Sequence, residues 1–197
     1  MANIALDAGK VVLKDGKASC SCCSVVDCGT IPESTYGIVL SEEQYNNFSQ
    51  GGNYTINAVM SENFTGGGSC SSNLNGSGSL PSCIFQISVS ELKCSGSDTF
   101  YDSARFGVTV YFGKEAGTGI YKMHYYGQAQ CPYLFFGFCY SVGYYINESY
   151  DVNPPSVFTQ IGTVTMTIKG TTFQFGVWSF PPDSGFNASA SATINIT

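Results

Sequence analysis

The feature that most constrains the fold is a series of short runs of β-branched and aromatic residues, separated by Gly, Asn, Ser and Pro. No stretch sustains the 3.6-residue period of an amphipathic helix, whereas alternation with a period of two is clear from Val164 to Lys169 and from Thr172 to Val177. The runs that we interpret as strands are residues 36–40, 54–60, 84–92, 105–112, 119–126, 133–146, 157–169, 171–178 and 188–196. Strands at this spacing predict an all-β fold, an antiparallel β-sandwich or jelly-roll-like domain.

One segment favours a helix. Ser41 precedes Glu42 and Glu43, and a serine followed by acidic residues is typical of a helix N-terminus. The segment is short, so we expect a single turn that leaves the fold class unchanged.

The sequence of the N-terminal segment indicates a separate arm. Asp15-Gly16 stands between the short runs Val11–Lys14 and Lys17–Cys20, and a two-residue Asp-Gly is a strong hairpin signal. A lone hairpin is marginal in water, so we expect it to lie on the main body or on a neighbouring chain. The prediction is therefore an N-terminal Cys-rich hairpin arm, residues 1–30, and a β-sandwich domain, residues 31–197.

Nine cysteines are unusual for an intracellular chain without a metal or redox role. They are Cys20, Cys22, Cys23, Cys28, Cys70, Cys83, Cys94, Cys131 and Cys139. Disulfides are the favoured explanation, with zinc binding at the C-x-x-C spacing of the first four and unpaired thiols as alternatives. An odd count would leave one thiol free or paired to another chain.

The stretch between Cys70 and Cys83 is rich in Gly, Ser and Asn, which predicts a surface loop. A disulfide between these two cysteines would close about 14 residues and contribute on the order of 3 kcal/mol. The loop has either a structural role or a recognition role.

Composition excludes several functions. Only 11% of the residues are charged, while Ser, Thr, Asn and Gly supply 75 of the 197. The net charge of −6 argues against nucleic-acid binding. The most apolar stretch, residues 131–146, is shorter than the ~20 residues of a membrane helix, so we interpret it as a buried strand and expect no membrane span.

The sequence contains no catalytic signature. The only histidine, His124, lies on a predicted strand and is interpreted as an ordinary strand residue. The carboxylates considered for glycoside hydrolysis, which sequence cannot place together, are Glu91, Asp98, Asp102 and Glu115. Loop acids near Asp102 and Asp151 do not fit the regular calcium-loop spacing. We therefore predict a non-enzymatic protein with no catalytic residue, no cofactor and no metal.

Two surface features bear on partners. Sequons for N-glycosylation occur at Asn47, Asn53, Asn63, Asn75, Asn147, Asn187 and Asn195, which makes these residues candidate glycosylation sites. Tyrosines are abundant from Tyr121 to Tyr145; alternation sends about half to the core, and the rest suit subunit contacts or carbohydrate binding.

Localisation rests on two opposing observations. The low charge and the cysteines suggest an extracellular protein, whereas Met1 to Asp7 lacks the basic segment and apolar run of a secretory signal. A virion protein satisfies both, because it is made without a signal and is oxidised after release. Residues 9–23, GKVVLKDGKASCSCC, also resemble the openings of uncharacterised proteins of environmental bacteria and their tailed phages. That resemblance covers some 15 residues and implies no activity.

These observations predict a structural or accessory virion protein, such as a capsid decoration, tail or fibre-associated subunit. It would form a homo-oligomer or join a larger assembly through its β-sandwich faces and its arm, at the virion or another extracellular location. The alternative is a secreted or cell-surface carbohydrate-binding or adhesion module.

Overall fold

The computed structural model describes residues 5–7, 10–12, 18–19, 26–64, 66–95, 101–180 and 186–197. The first three strands are β1 (Ala5–Asp7), β2 (Lys10–Val12) and β3 (Ala18–Ser19), which pair antiparallel in a small sheet of their own. The pairing of β2 with β3 agrees with the predicted hairpin. Val12 faces Ala18, however, one residue away from the register of a two-residue turn, and the Asp15-Gly16 turn lies outside the described residues.

The remaining elements make up the body of the protein. The short strands are β4 (Thr30–Ile31), β5 (Ile38–Val39), β11 (Tyr133–Phe135) and β12 (Phe138–Tyr140). The long strands are β6 (Gly52–Phe64), β7 (Ser69–Leu80), β8 (Ile84–Ser95), β9 (Tyr101–Glu115), β10 (Tyr121–Gln130), β13 (Gly143–Asn147), β14 (Thr159–Ile168), β15 (Thr171–Ser179) and β16 (Phe186–Ile196). The helices are α1 (Glu42–Phe48) and α2 (Glu148–Val152).

The nine long strands form one curled sheet, which confirms the all-β prediction. Their order is β8, β9, β10, β13, β15, β14, β16, β6 and β7, and every neighbouring pair is antiparallel except β14 with β16. The two edge strands approach each other: Gly76 of β7 packs against Val89 of β8 so closely that a Cβ on the glycine would overlap the valine side chain. The jelly-roll arrangement remains a prediction.

The core lies inside the curl. Alternate residues of each strand point inward, as Phe106, Val108 and Val110 of β9 do, and these side chains are at most 2% exposed. The core side chains form a single cluster, consistent with one folded body. The other side of the sheet carries mainly uncharged polar residues, so the sheet has an inner apolar face and an outer polar face.

The predicted loop between Cys70 and Cys83 is wrong. Residues 69–80 form β7, which pairs with β6 along twelve residues. Cys70, Ser72 and Leu74 point inward and are buried, so period-two packing overrides the loop-like composition.

The interpretation of residues 131–146 as one buried strand is also wrong. The segment divides into the hairpin of β11 and β12, followed by β13. Phe136 and Gly137 make the hairpin turn with φ values of 49° and 82°, so the chain reverses where a continuous strand was expected.

Three disulfides join the two edge strands to the rest of the chain. Their pairs are Cys28–Cys83, Cys70–Cys131 and Cys94–Cys139. The predicted Cys70–Cys83 pair is wrong: Cys70 bonds to Cys131 and Cys83 bonds to Cys28, and the extended β7 from Cys70 to Leu80 alone spans roughly 33 Å at ~3.3 Å per residue, far beyond disulfide reach. Cys28 bonds to the body, not within the Cys-rich cluster, and β4 adds parallel pairing to β9 just after it.

The predicted helix start at Ser41 is confirmed. The Ser41 hydroxyl accepts from the Gln44 amide, and the Gln44 side chain accepts from the Ser41 amide, a reciprocal capping box. The helix runs for seven residues, longer than the single turn expected, because Tyr45 and Phe48 anchor it in the core. Among the described residues, neither helix has the length and apolar character needed to cross a membrane.

Candidate functional site

A shallow groove crosses the outer face of β8, β9 and β10, with a volume of about 470 Å³. Its lining contains no charged residue and consists of Gln86, Ile87, Ser88, Gly107, Val108, Thr109, Tyr126, Gly127 and Gln128. The strand register explains why these residues meet: Gln86 and Tyr126 both flank Thr109, while Ser88 and Gln128 both flank Gly107. Side-chain amides and hydroxyls therefore stand in two rows across the groove.

Two glycines form the floor of the groove. Gly127 cannot carry a side chain, because a Cβ there would overlap the Gly107 carbonyl oxygen on the neighbouring strand. Gly107 is different: a Cβ at this position would meet nothing closer than 3.6 Å, the distance to Ile87 O and Ser88 Cβ. The groove is open at Gly107 because that residue has no side chain. A substitution that adds a side chain at this position would therefore fill the groove.

A stack of aromatic rings supports one wall. Tyr126 is 52% exposed, and its ring meets that of Tyr111 edge-on at 6.4 Å. Tyr111 in turn stacks on the His124 ring at 5.1 Å. The His124 Nδ1 lies 2.8 Å from a carboxylate oxygen of Glu148, the first residue of α2. This chain of contacts fixes the orientation of the exposed Tyr126 ring.

His124 is buried within β10, so it lies on a strand as expected. It is 3% exposed, and Gly37 covers its ring so closely that a Cβ on the glycine would lie 2.8 Å from Cε1. Gly37 has a φ of +92°, which a residue with a side chain adopts only with strain. His124 therefore packs against its cross-strand partner Tyr111 and does not line the groove.

Among the described residues, the candidate carboxylates have separate partners. Glu115 forms a buried ion pair with Lys122, at 2.6 Å, and also accepts hydrogen bonds from Ser34 N and the Thr118 hydroxyl. The Lys122 hydrogen bond, with those of Ser34 and Thr118, lowers the pKa of Glu115 to about 2.

Glu91 and Asp102 lie on the paired strands β8 and β9. Glu91 is exposed beside Lys93, while Asp102 accepts from Gln130 and Ser141 and lies 3.5 Å from Arg105.

Asp98 lies outside the described residues. Asp151, considered as a calcium ligand, accepts hydrogen bonds from Tyr125, Gly176 N and Trp178. Among the residues that the structure describes, no group of three or more His, Cys, Asp or Glu side chains is placed to hold a metal ion.

Most sequon asparagines share one surface. Asn53, Asn63, Asn75, Asn187 and Asn195 are exposed on β6, β7 and β16, on the outer face. Asn47 is exposed on α1, and Asn147 caps α2 by accepting from Ser149 N. Glycosylation of these residues stays a prediction.

The cysteine candidates divide into two groups. Six of the nine form the three disulfides given above. The other three, Cys20, Cys22 and Cys23, lie outside the described residues.

The prediction that about half of the tyrosines between Tyr121 and Tyr145 point into the core is correct only in part. Alternation divides two adjacent pairs as expected, with Tyr125 and Tyr144 buried and Tyr126 and Tyr145 exposed. It does not explain the third pair, since the buried Tyr133 and the exposed Tyr140 lie opposite each other on one face of the hairpin. Five lining residues were not identified from the sequence: Gln86, Gly107, Thr109, Gly127 and Gln128. Two glycines inside strand-like runs were the available signal, because such glycines often mark a close backbone approach.

Comparison with protein-family models, with curated proteins and with solved structures found no match to this chain. The groove must therefore be interpreted from its own chemistry.

Proposed function

We propose that the chain is a non-enzymatic module of an extracellular surface that binds a neutral glycan in the groove. The observation that carries this proposal is the lining itself, which offers amides, hydroxyls and an exposed tyrosine but no charge. The three disulfides are consistent with an oxidising, extracellular location.

Sugar chemistry matches each part of the groove. The amides of Gln86 and Gln128 and the hydroxyls of Ser88 and Thr109 both donate and accept hydrogen bonds, as sugar hydroxyls do. The exposed Tyr126 ring presents an apolar face on which the C–H side of a sugar ring can pack. A charged ligand would find no partner in the groove, so the proposal is limited to neutral sugars. The volume lies within the usual range of small-ligand sites.

Gly107→Val is expected to abolish glycan binding while leaving the fold intact. The added side chain fills the floor of the groove, and its Cβ meets only ordinary contacts. On a glycan array followed by calorimetry with the best neutral oligosaccharide, the dissociation constant should rise at least about tenfold.

The matched control is Thr55→Val, which places a similar side chain on the exposed outer face of β6, away from the groove. It should bind like the unmodified protein. Glycan binding that survives Gly107→Val, or an array without any binding, would contradict the proposal.

The second candidate is the predicted structural or accessory virion protein, a capsid decoration, tail or fibre-associated subunit. One observation favours an assembly role: in the described backbone, β1, β2 and β3 hydrogen-bond to one another and to no strand of the main sheet. Such a sheet is suited to contact a neighbouring subunit, and the homo-oligomer stays a prediction.

Deleting residues 1–25 is expected to leave a folded protein that no longer enters the assembly. The deletion stops before Cys28, because the Cys28–Cys83 disulfide belongs to the body. Light scattering and incorporation into particles of the native source would measure the effect. Full incorporation of the shortened chain would rule out the role given to the arm.

A further inference from the structure

The hairpin of β11 and β12, residues 133–140, displays an apolar tip. Leu134, Phe136 and Phe138 are 55%, 85% and 53% exposed. No charged residue occurs anywhere from 125 to 147. Large apolar side chains grouped at a projecting turn are uncommon on a folded surface and mark an interaction site.

The tip is held rigidly. Cys131 precedes β11 and bonds to Cys70, and Cys139 within β12 bonds to Cys94, so disulfides anchor both strands of the hairpin. On the side facing the body, Phe135 packs over Gly67, where a Cβ would lie 3.2 Å from its ring. An anchored hairpin loses little conformational entropy when it binds.

The turn places an unfavourable residue at its most exposed point. Phe136 has a φ of 49°, in the left-handed region that a two-residue turn usually fills with Asn or Gly. The Phe136 ring meets the Phe135 ring edge-on at 4.3 Å, but the residue stays 85% exposed, so packing within the chain covers little of its surface. Its apolar side chain therefore has a use outside the folded chain.

We infer that this tip inserts into the interfacial region of a phospholipid bilayer with a neutral surface. Three apolar side chains on a convex turn offer too little area for a stable protein interface, which needs about 800 Å² per partner, but they suit shallow insertion.

The aromatic residues behind the tip are suited to shallow insertion into a bilayer. Tyr140 is 46% exposed, stacks on the buried Tyr133 at 5.9 Å, and carries a hydroxyl, as aromatic residues at the level of lipid headgroups do. The net charge of −6 does not favour an anionic membrane, so zwitterionic lipid is the expected partner. This inference does not depend on the glycan groove.

The test is co-flotation of the full chain with phosphatidylcholine vesicles, comparing the unmodified protein with Phe136→Asn. Asparagine accepts the left-handed turn conformation, so this variant keeps the hairpin and removes only the apolar ring. The partition coefficient should fall about tenfold. Val152→Asn is the matched control, because Val152 is 70% exposed at the end of α2, away from the tip, and should bind unchanged.

Several results would overturn the inference. They are absence of flotation with phosphatidylcholine, equal flotation of Phe136→Asn, and binding that requires phosphatidylserine. Concentration-dependent self-association that disappears in Phe136→Asn, without vesicle binding, would assign the tip to contacts between copies of the chain.

Discussion

Reduction of the three disulfides is expected to unfold the protein at about 37 °C. The bonds join residues 55, 61 and 45 positions apart, and loops of this size each contribute about 4 kcal/mol in the chain-entropy model. Together they are comparable with the whole free energy of unfolding of a typical domain, about 5 to 15 kcal/mol. Circular dichroism during urea titration, with and without dithiothreitol, measures the effect.

One bond can also be removed selectively. Replacing Cys70 and Cys131 together by alanine should lower the free energy of unfolding by about 4 kcal/mol, which corresponds to a fall in Tm of about 10 °C. Both cysteines are buried, so the paired replacement avoids leaving one thiol alone. The control is non-reducing peptide mapping, which should recover Cys28 with Cys83, Cys70 with Cys131 and Cys94 with Cys139. A midpoint unchanged by reduction would contradict the stapling role.

The alternating strands were predictable from sequence because their apolar residues, spaced two apart, are the ones that pack in the core. In β14 and β15, Val164 and Met166 point inward and pair with Phe175 and Phe173, as the period of two requires. The turn between these two strands is Lys169-Gly170, both with positive φ, so Lys169 belongs to the turn although the alternating run included it in the strand. Sequence gives the faces of a hairpin more securely than its turn.

Strand β7 could not be found from composition. Gly, Ser and Asn have low strand propensity, and only Cys70, Leu74 and Leu80 mark its buried side. What makes it a strand is the long pairing with β6, a contact between segments that composition does not connect. The wrong disulfide followed from the same omission, since a loop would have brought Cys70 and Cys83 together.

The groove was inaccessible to sequence reasoning for a related reason. Gln86, Thr109 and Gln128 come from three strands, and only the register of β8 and β10 against β9 places them side by side. The sequence could not place the candidate carboxylates relative to one another, and it gave no indication of where a neutral ligand could bind.

The second large effect that we expect is a pH dependence of stability caused by a buried carboxyl. Glu62 points into the core from β6, is 0% exposed, and accepts a hydrogen bond from the Tyr144 hydroxyl at 2.7 Å. Its Oε1 atom has no hydrogen-bond partner among the described residues. Burial raises the pKa of Glu62 from 4.5 to about 7, and the Tyr144 hydrogen bond offsets only part of that rise. The Tyr133 side chain also lies near, and burial raises its pKa.

We therefore expect stability to decrease as the pH rises from about 4.5 to 7. In this window the folded chain holds a proton on Glu62 that the unfolded chain has released, so each increase in pH favours unfolding; above the folded pKa the loss is complete. The pKa difference corresponds to a loss of at most about 3 kcal/mol. Glu115 acts in the opposite direction, since its lowered pKa contributes stability that is lost as the pH falls from about 4.5 to 2. Stability should accordingly be highest near pH 4.5.

Glu62→Gln is expected to remove most of the decrease between pH 5 and 7 and to stabilise the protein by about 2 kcal/mol at pH 8. The amide keeps a carbonyl oxygen for the Tyr144 hydroxyl and cannot ionise, so it reproduces the protonated carboxyl in shape and charge. Urea titrations at half-unit pH steps measure the slope. Glu91→Gln is the matched control, because the Glu91 side chain is 52% exposed beside Lys93 and its replacement should leave the pH profile unchanged. If the Glu62 variant kept the slope of the unmodified protein, the pH dependence would have to come from another group and the assignment to this buried carboxyl would be wrong.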